Sequence, residues 1–191
     1  MSKIKLGKQP LLYPLPALLI GSTVDNKPNV MTAAWCSLAN MEPPMVCVAI
    51  QHIRHTYKGI KQNNTFSVNV PSTDFVVETD FCGITPGAKT DKIAACKFDV
   101  FYGILKTAPM IEQCPLNLEC MVVHTIELGS HILVIGSIEE IYINEECMTN
   151  NKPDVSKIKP FSFTSGTELS YHEIGKSIAR AFNVGKQLKT D

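Results

Sequence analysis

The chain has 191 residues and a formal net charge of zero; 45% of its residues are hydrophobic and 19% are charged. That length and apolar content predict one folded domain, residues 1–191, and exclude intrinsic disorder. A neutral chain with 16 lysines, two arginines and one tryptophan argues against nucleic acid as a partner, and no apolar run approaches the ~18 residues of a membrane span.

In chain order, ALLIGST (17–23) and NVMTAAW (29–35) read as two strands of a hairpin, with turn residues DNKP (25–28) between them. MVCVAI (45–50) is a continuous β-rich run behind two prolines, which predicts a strand buried on both faces. Thr56 is the expected N-cap of a short helix, YKGIKQNN, ending at Asn63 or Asn64, and FSVNV (66–70) is the next strand. Ser72, Thr73 and Asp74 open a helix that ends near Cys82 and Gly83; GITPGAKTD (83–91) is loop-like, and FDVFYGIL (98–105) is a weaker strand pattern.

From Leu116 to Leu128 the period is two. Leu116, Leu118, Cys120, Val122, Ile126 and Leu128 fall on an apolar face that also carries His124, read as a core histidine; Asn117, Glu119, Thr125 and Glu127 fall on the other. HILVIGSIEEIYI (131–143) returns after a Gly-Ser turn, with Gly136 as a bulge, and HEIGKSIARAFNVGKQL (172–188) has the spacing of a terminal helix. Six or seven strands in hairpins with inserted helices predict a mainly β, antiparallel barrel.

The seven cysteines include no C-x-x-C pair and are odd in number, which argues against a disulfide framework or zinc ribbon and for a reducing cytoplasm. The N-terminal MSKIKLGKQP has no signal-peptide pattern. No metal site is expected.

Four stretches carry possible chemistry. QHIRHT (51–56) sets Arg54 and Thr56 at a strand-to-helix junction, where a guanidinium fork and free helix N–H groups suit a phosphate; a surface arginine beside an ordinary cap is the other reading. The small residues Thr32, Ala33 and Ala34 ahead of Trp35 would let a flat ligand approach the main chain, or simply pack in a core. Lys92 follows a Pro/Gly loop and is either an anion partner or a solvated lysine. His131 sits at a hairpin corner.

Taken in order, N-x-M-T-x-x-W, P-P-x-V-x-V-x-I, R-x-T, D-K-x, L-x-C and G-x-H-x-I-x-x-G resemble the flavin reductase-like family of FMN-binding split barrels, from about Leu12 to Gly136. The resemblance implies an antiparallel Greek-key FMN-binding split β-barrel and a homodimer holding FMN at the subunit interface. Asn29 and the segment Met31, Thr32, Ala33, Ala34 and Trp35 would line the isoalloxazine. Ala49, Ile50 and Gln51 would run along the ring and ribityl chain, and Arg54, His55, Thr56 and Lys92 would hold the phosphate. His131 would be the catalytic residue beside the ring.

Lys89 stands where many relatives have an arginine, and Phe161 or Phe163 would cover the flavin. The implied activity is flavin reduction or flavoredoxin-like electron transfer. NADH, NADPH or a protein would be the donor, and a small molecule or redox protein the acceptor. A flavin carrier or sensor without turnover is the alternative.

Overall fold

A computed structural model of the chain describes residues 1–166 and 168–188. Seven strands form the main sheet: β1 (Leu18–Val24), β2 (Lys27–Ala33), β3 (Cys36–Asn40), β4 (Met45–Gln51), β5 (Thr65–Val70), β6 (Leu116–Glu127) and β7 (His131–Ile143). Their order is β2-β1-β5-β6-β7-β4-β3, and every neighbouring pair is antiparallel. The strands at the two ends of that order are consecutive in the chain, joined only by Ala34 and Trp35. A joint that short forces the sheet to curl into a barrel, and the Ala49 amide donates to the Trp35 carbonyl there (2.9 Å). This is the expected antiparallel Greek-key split barrel, with β3 as a strand the sequence pattern did not predict.

The β1–β2 turn places Asp25 and Asn26 at φ 48° and 63°, the two left-handed residues of a tight hairpin. The barrel interior is packed by Ile20, Met31, Val46, Val48, Ile50, Phe66, Val68, Cys120, Ile132 and Val134. Gly136 sits at the irregularity in β7, as expected. A Cβ there would lie 2.5 Å from Phe66 Cε1, so the bulge also makes room for the ring.

Outside the barrel lie α1 (His55–Asn63), α2 (Val76–Ile84) and α3 (Lys92–Ala95). Close contacts fix α1 on β1. Ser22 Oγ donates to the Thr56 carbonyl (2.7 Å), Asn63 Nδ2 donates to the Thr23 carbonyl (2.7 Å), and a Cβ on Gly59 would strike Ser22 Oγ at 2.4 Å. Against β2, α2 is held by the Thr32 hydroxyl, which donates to the Thr79 carbonyl. A second apolar cluster of Leu19, Val30, Cys82, Phe98, Ile111 and Cys114 fills the space under α2. Two short strands, β8 (Phe161–Thr164) and β9 (Ser170–Glu173), pair with each other, and β8 also pairs with Leu15–Pro16.

Several expectations are corrected. β4 is not buried on both faces: Val46, Val48 and Ile50 point into the core, while Met45, Cys47, Ala49 and Gln51 are half-buried. Of the 98–105 run, only Val100–Phe101 is strand.

On β6 the polar positions Asn117 and Glu119 are fully buried, because the segment 99–115 crosses that face. They are satisfied there. Asn117 Nδ2 donates to Asn69 Oδ1 (2.8 Å) and the Ile111 carbonyl (3.0 Å). The Glu119 carboxyl group accepts from the amides of Ile104 (3.0 Å) and Leu105 (2.9 Å) and from the Tyr142 hydroxyl (3.0 Å). His124 lies on the far, exposed end of β6 and is not a core residue.

The helix expected over 172–188 is absent. Its place is taken by the end of β9, an irregular stretch, and a short 3₁₀ turn at Val184–Leu188. Ile178 and Phe182 are about fully exposed, at 101% and 99%. Among the described residues nothing buries that apolar stripe, and packing of such a face supplies most of a helix's stability.

Candidate functional site

The site forms where β4 runs into α1, opposite the loop that follows α2. Arg54, not Thr56, occupies the N-cap position of α1, and no side chain caps the helix. No acidic residue stands in the first turn, so the positive end of the helix faces the cavity without a compensating charge. Thr56 lies inside that turn, where its Oγ1 accepts from Asn29 Nδ2 (2.6 Å), tying β2 to α1.

Two cations converge on this end. Arg54 Nη1 donates to the Gly83 carbonyl (3.1 Å), and Lys92 Nζ donates to the neighbouring Cys82 carbonyl (3.0 Å). Lys92 is only 4% exposed. Among the described residues the one ion pair is Lys58–Asp25 (2.6 Å), so no carboxylate lies within ion-pair distance of either cation of the site. Burial holds the Lys92 pKa below the ordinary lysine value, and the nearby Arg54 charge pushes in the same direction. A buried ammonium and a half-buried guanidinium held by carbonyls alone suit an anion-binding site.

Met31, Ile53, Arg54, His55, Thr56, Lys92 and the loop 84–88 enclose a cavity of about 150 Å³. A neighbouring groove of about 460 Å³ shares His55, Gly87, Ala88 and Lys92 with it and adds Asn29, Lys89 and the carboxylates Asp25 and Asp91. Gly87 is the close point between them: a Cβ there would lie 2.2 Å from Asn29 Oδ1 and 3.3 Å from His55 Cδ2. The Pro86–Gly87 pair marks a turn in the sequence, but its approach to Asn29 leaves no sequence signal. Nor does the use of the Cys82 and Gly83 carbonyls as anchors for the cations.

At this same end of β4, Gln51 pairs with His131 in the ladder, and Trp35 stacks on the His131 ring (centroids 4.5 Å apart, 29° between planes). Ser130 Oγ lies 2.9 Å from His131 Nδ1, and His52 Nε2 donates to the Gly129 carbonyl (2.7 Å).

The predicted residues thus divide. Asn29, Met31, Arg54, His55, Thr56 and Lys92 gather at the helix N-terminus, while Trp35, Gln51 and His131 form an aromatic corner. Thr32 is engaged with α2, and Ala33 and Ile50 are core residues, so Ile50 can offer a ligand only its main chain. Ala34 and Ala49 lie at the barrel joint. Phe161 and Phe163 both pack on Tyr171 (5.5 and 5.8 Å), and neither lines the cavity. No cluster of metal-ligating side chains occurs among the described residues, and no helix among them is long and apolar enough to cross a membrane.

Residues 11–158 match the family described as "Flavin reductase like domain". The chain is similar to the crystal structure of flavoredoxin from Methanosarcina acetivorans, at 40% identity over 99% of this chain and 100% of that one, with a TM-score of 0.94. It is also similar to flavoredoxin of Desulfovibrio vulgaris (Miyazaki F), at 32% identity over 97% and 100% of the two chains, with a TM-score of 0.90. An FMN reductase (NADH) from Agrobacterium fabrum is 27% identical over 58% of this chain and 61% of its own length.

Proposed function

The chain belongs to the flavin reductase-like domain family, and from that premise we propose that it binds FMN without a covalent bond and passes electrons through it. The observation that carries the reading is the pair of half-buried Arg54 and buried Lys92 at the uncapped start of α1, neither within ion-pair distance of a carboxylate. A phosphate monoester has the charge and the acceptor oxygens that such a pair lacks. Arg54, Lys92, Thr56 and the first amides of α1 hold the phosphate, and Asn29 fixes the Thr56 hydroxyl. The flat ring lies along the small-residue strand end toward Trp35 and His131, where main-chain groups read its edge.

When bound, FMN accepts electrons from a donor and releases them to an acceptor. The chain's own part is to bind, to orient and to keep one face of the ring open for NADH, NADPH or a protein donor. We further propose that two copies complete the site, in the cytoplasm. The cavity of about 150 Å³ is below the ~300–1,000 Å³ of ordinary small-molecule sites. Its rim residues Ile53 and Ile84 are strongly exposed, as expected of a half-site.

The test is direct. The purified protein is yellow or takes up one FMN per chain, and its mass in solution is that of a dimer. Anaerobic additions of NADH, NADPH and reduced ferredoxin identify the donor by bleaching the flavin. Protein that takes up no FMN in titration would refute the reading. Bleaching by dithionite with none of the three donors would reduce it to a carrier without turnover.

A further inference from the structure

We propose that Cys82 and Cys96 are a redox-active dithiol whose closure to a disulfide loosens the phosphate cradle. The effect on the cradle rests on the FMN reading above; the dithiol does not. Cys82 lies in the last turn of α2 and is fully buried; Cys96 directly follows α3 and is half-buried. Their sulfurs are 3.9 Å apart, and a disulfide is about 2.05 Å long, so the bond needs the two helix ends to approach by about 2 Å.

The 14-residue separation encloses the whole loop wall of the cavity and Lys92 itself. The Cys82 carbonyl anchors Lys92 Nζ and the adjacent Gly83 carbonyl anchors Arg54 Nη1. Drawing Cys82 toward Cys96 therefore displaces the acceptors of both cradle cations at once.

Hydrogen peroxide, the product when reduced flavins meet oxygen, is the oxidant. The Cys96 thiol, the more accessible of the two, loses its proton to solvent and attacks one peroxide oxygen. An S–O bond forms, the O–O bond breaks, and hydroxide leaves and is protonated to water. Cys82 then attacks the Cys96 sulfenic acid. The S–S bond forms, the S–O bond breaks, and hydroxide takes the Cys82 proton as a second water. The sum is two thiols and one peroxide to one disulfide and two waters, a two-electron oxidation that a dithiol reductant reverses. Burial pushes the Cys82 thiol up to about 12 and raises Cys96 as well, so the response is slow and answers sustained rather than trace peroxide.

The experiment treats the full chain with peroxide, blocks the remaining thiols by alkylation, and maps the bridged peptides by mass. FMN affinity is measured before treatment, after it, and after dithiothreitol. The expected result is a Cys82–Cys96 bridge with FMN weakened about tenfold, the factor that losing one charge-assisted hydrogen bond gives, and restored by reduction. Cys96→Ser forms no bridge and keeps the untreated affinity throughout. Oxidation of Cys96 to sulfinic acid without a bridge would overturn the dithiol, and a bridge that leaves FMN affinity unchanged would overturn the link to the cradle. Reduced protein that never binds FMN would refute the site reading and with it that link, while the bridge itself would still be read by mass.

Discussion

Replacing Lys92 by Met should move stability and ligand affinity in opposite directions. The ammonium is 4% exposed, and its one protein partner is a neutral carbonyl, Cys82 O at 3.0 Å. An ammonium taken out of water without a counter-charge carries a penalty of several kcal/mol. A methionine of similar length removes that penalty and leaves one carbonyl short of a donor, at about 1–3 kcal/mol. The ligand-free variant is therefore expected to equal or exceed the parent by up to about 2 kcal/mol.

FMN loses a charge-assisted bond worth about 1.5–3 kcal/mol, roughly tenfold to a hundredfold in Kd, whereas riboflavin, with no phosphate, loses little. Urea denaturation at constant m measures the first effect, and quenching of FMN and riboflavin fluorescence the second. A ligand-free variant less stable by more than about 1 kcal/mol would mean that the charge is a structural asset. Equal losses for FMN and riboflavin would mean that Lys92 does not meet the phosphate.

Alkaline pH provides a second test of the same charge. Because the Lys92 pKa lies below the ordinary lysine value, the unfolded chain binds more protons than the folded one between the two values. Ligand-free stability then gains a rising contribution with pH in that alkaline window, while FMN affinity falls as the ammonium deprotonates; a Lys92→Met protein should show neither trend. Gly87→Val places a branched side chain where even Cβ would be 2.2 Å from Asn29 Oδ1. It should weaken FMN at least about tenfold by displacing the loop, and unchanged titration would remove Gly87 from the site. His131→Ala should slow reduction of bound FMN by the accepted donor more than it weakens FMN binding; stopped-flow traces that match the parent would take His131 out of the mechanism. Glu119→Gln sets an amide N–H against one of three buried donors, lowering stability by about 1–3 kcal/mol; a loss below about 0.5 kcal/mol in urea would contradict that role.

Much of this was legible because it is local. The alternation in 116–128 and the long return over 131–143 mark the central hairpin, and a glycine inside that return, Gly136, marks the bulge whose space the Phe66 ring fills. R-x-T after the apolar run located the junction of β4 and α1, where Arg54 and Lys92 meet. What was hidden depends on segments far apart in the chain. The same alternation that located β6 misassigned its polar face, since only the crossing segment 99–115 buries Asn117 and Glu119. Arg54 displaced Thr56 as the helix cap because the Thr56 hydroxyl is taken by Asn29, 27 residues away. The carbonyls that position the cations carry no side-chain signature at all, and the terminal stripe Ile174, Ile178 and Phe182 had the period of a helix but nothing among the described residues to bury it.

The two-residue joint at Ala34–Trp35 also sets the order in which the protein can assemble. The hairpins β1–β2, β3–β4 and β6–β7 are each local, but β5 meets β6 across a long intervening stretch, and β7 must reach back to β4 before the ends of the sheet can meet. The groups that would grip a mononucleotide come from 29–31, 54–56 and 82–92, which α1 and α2 gather on the β1–β2 hairpin rather than on that last ladder. A cofactor would therefore brace the first hairpin and its two helices, a part of the barrel that can stand in place before the ends of the sheet meet.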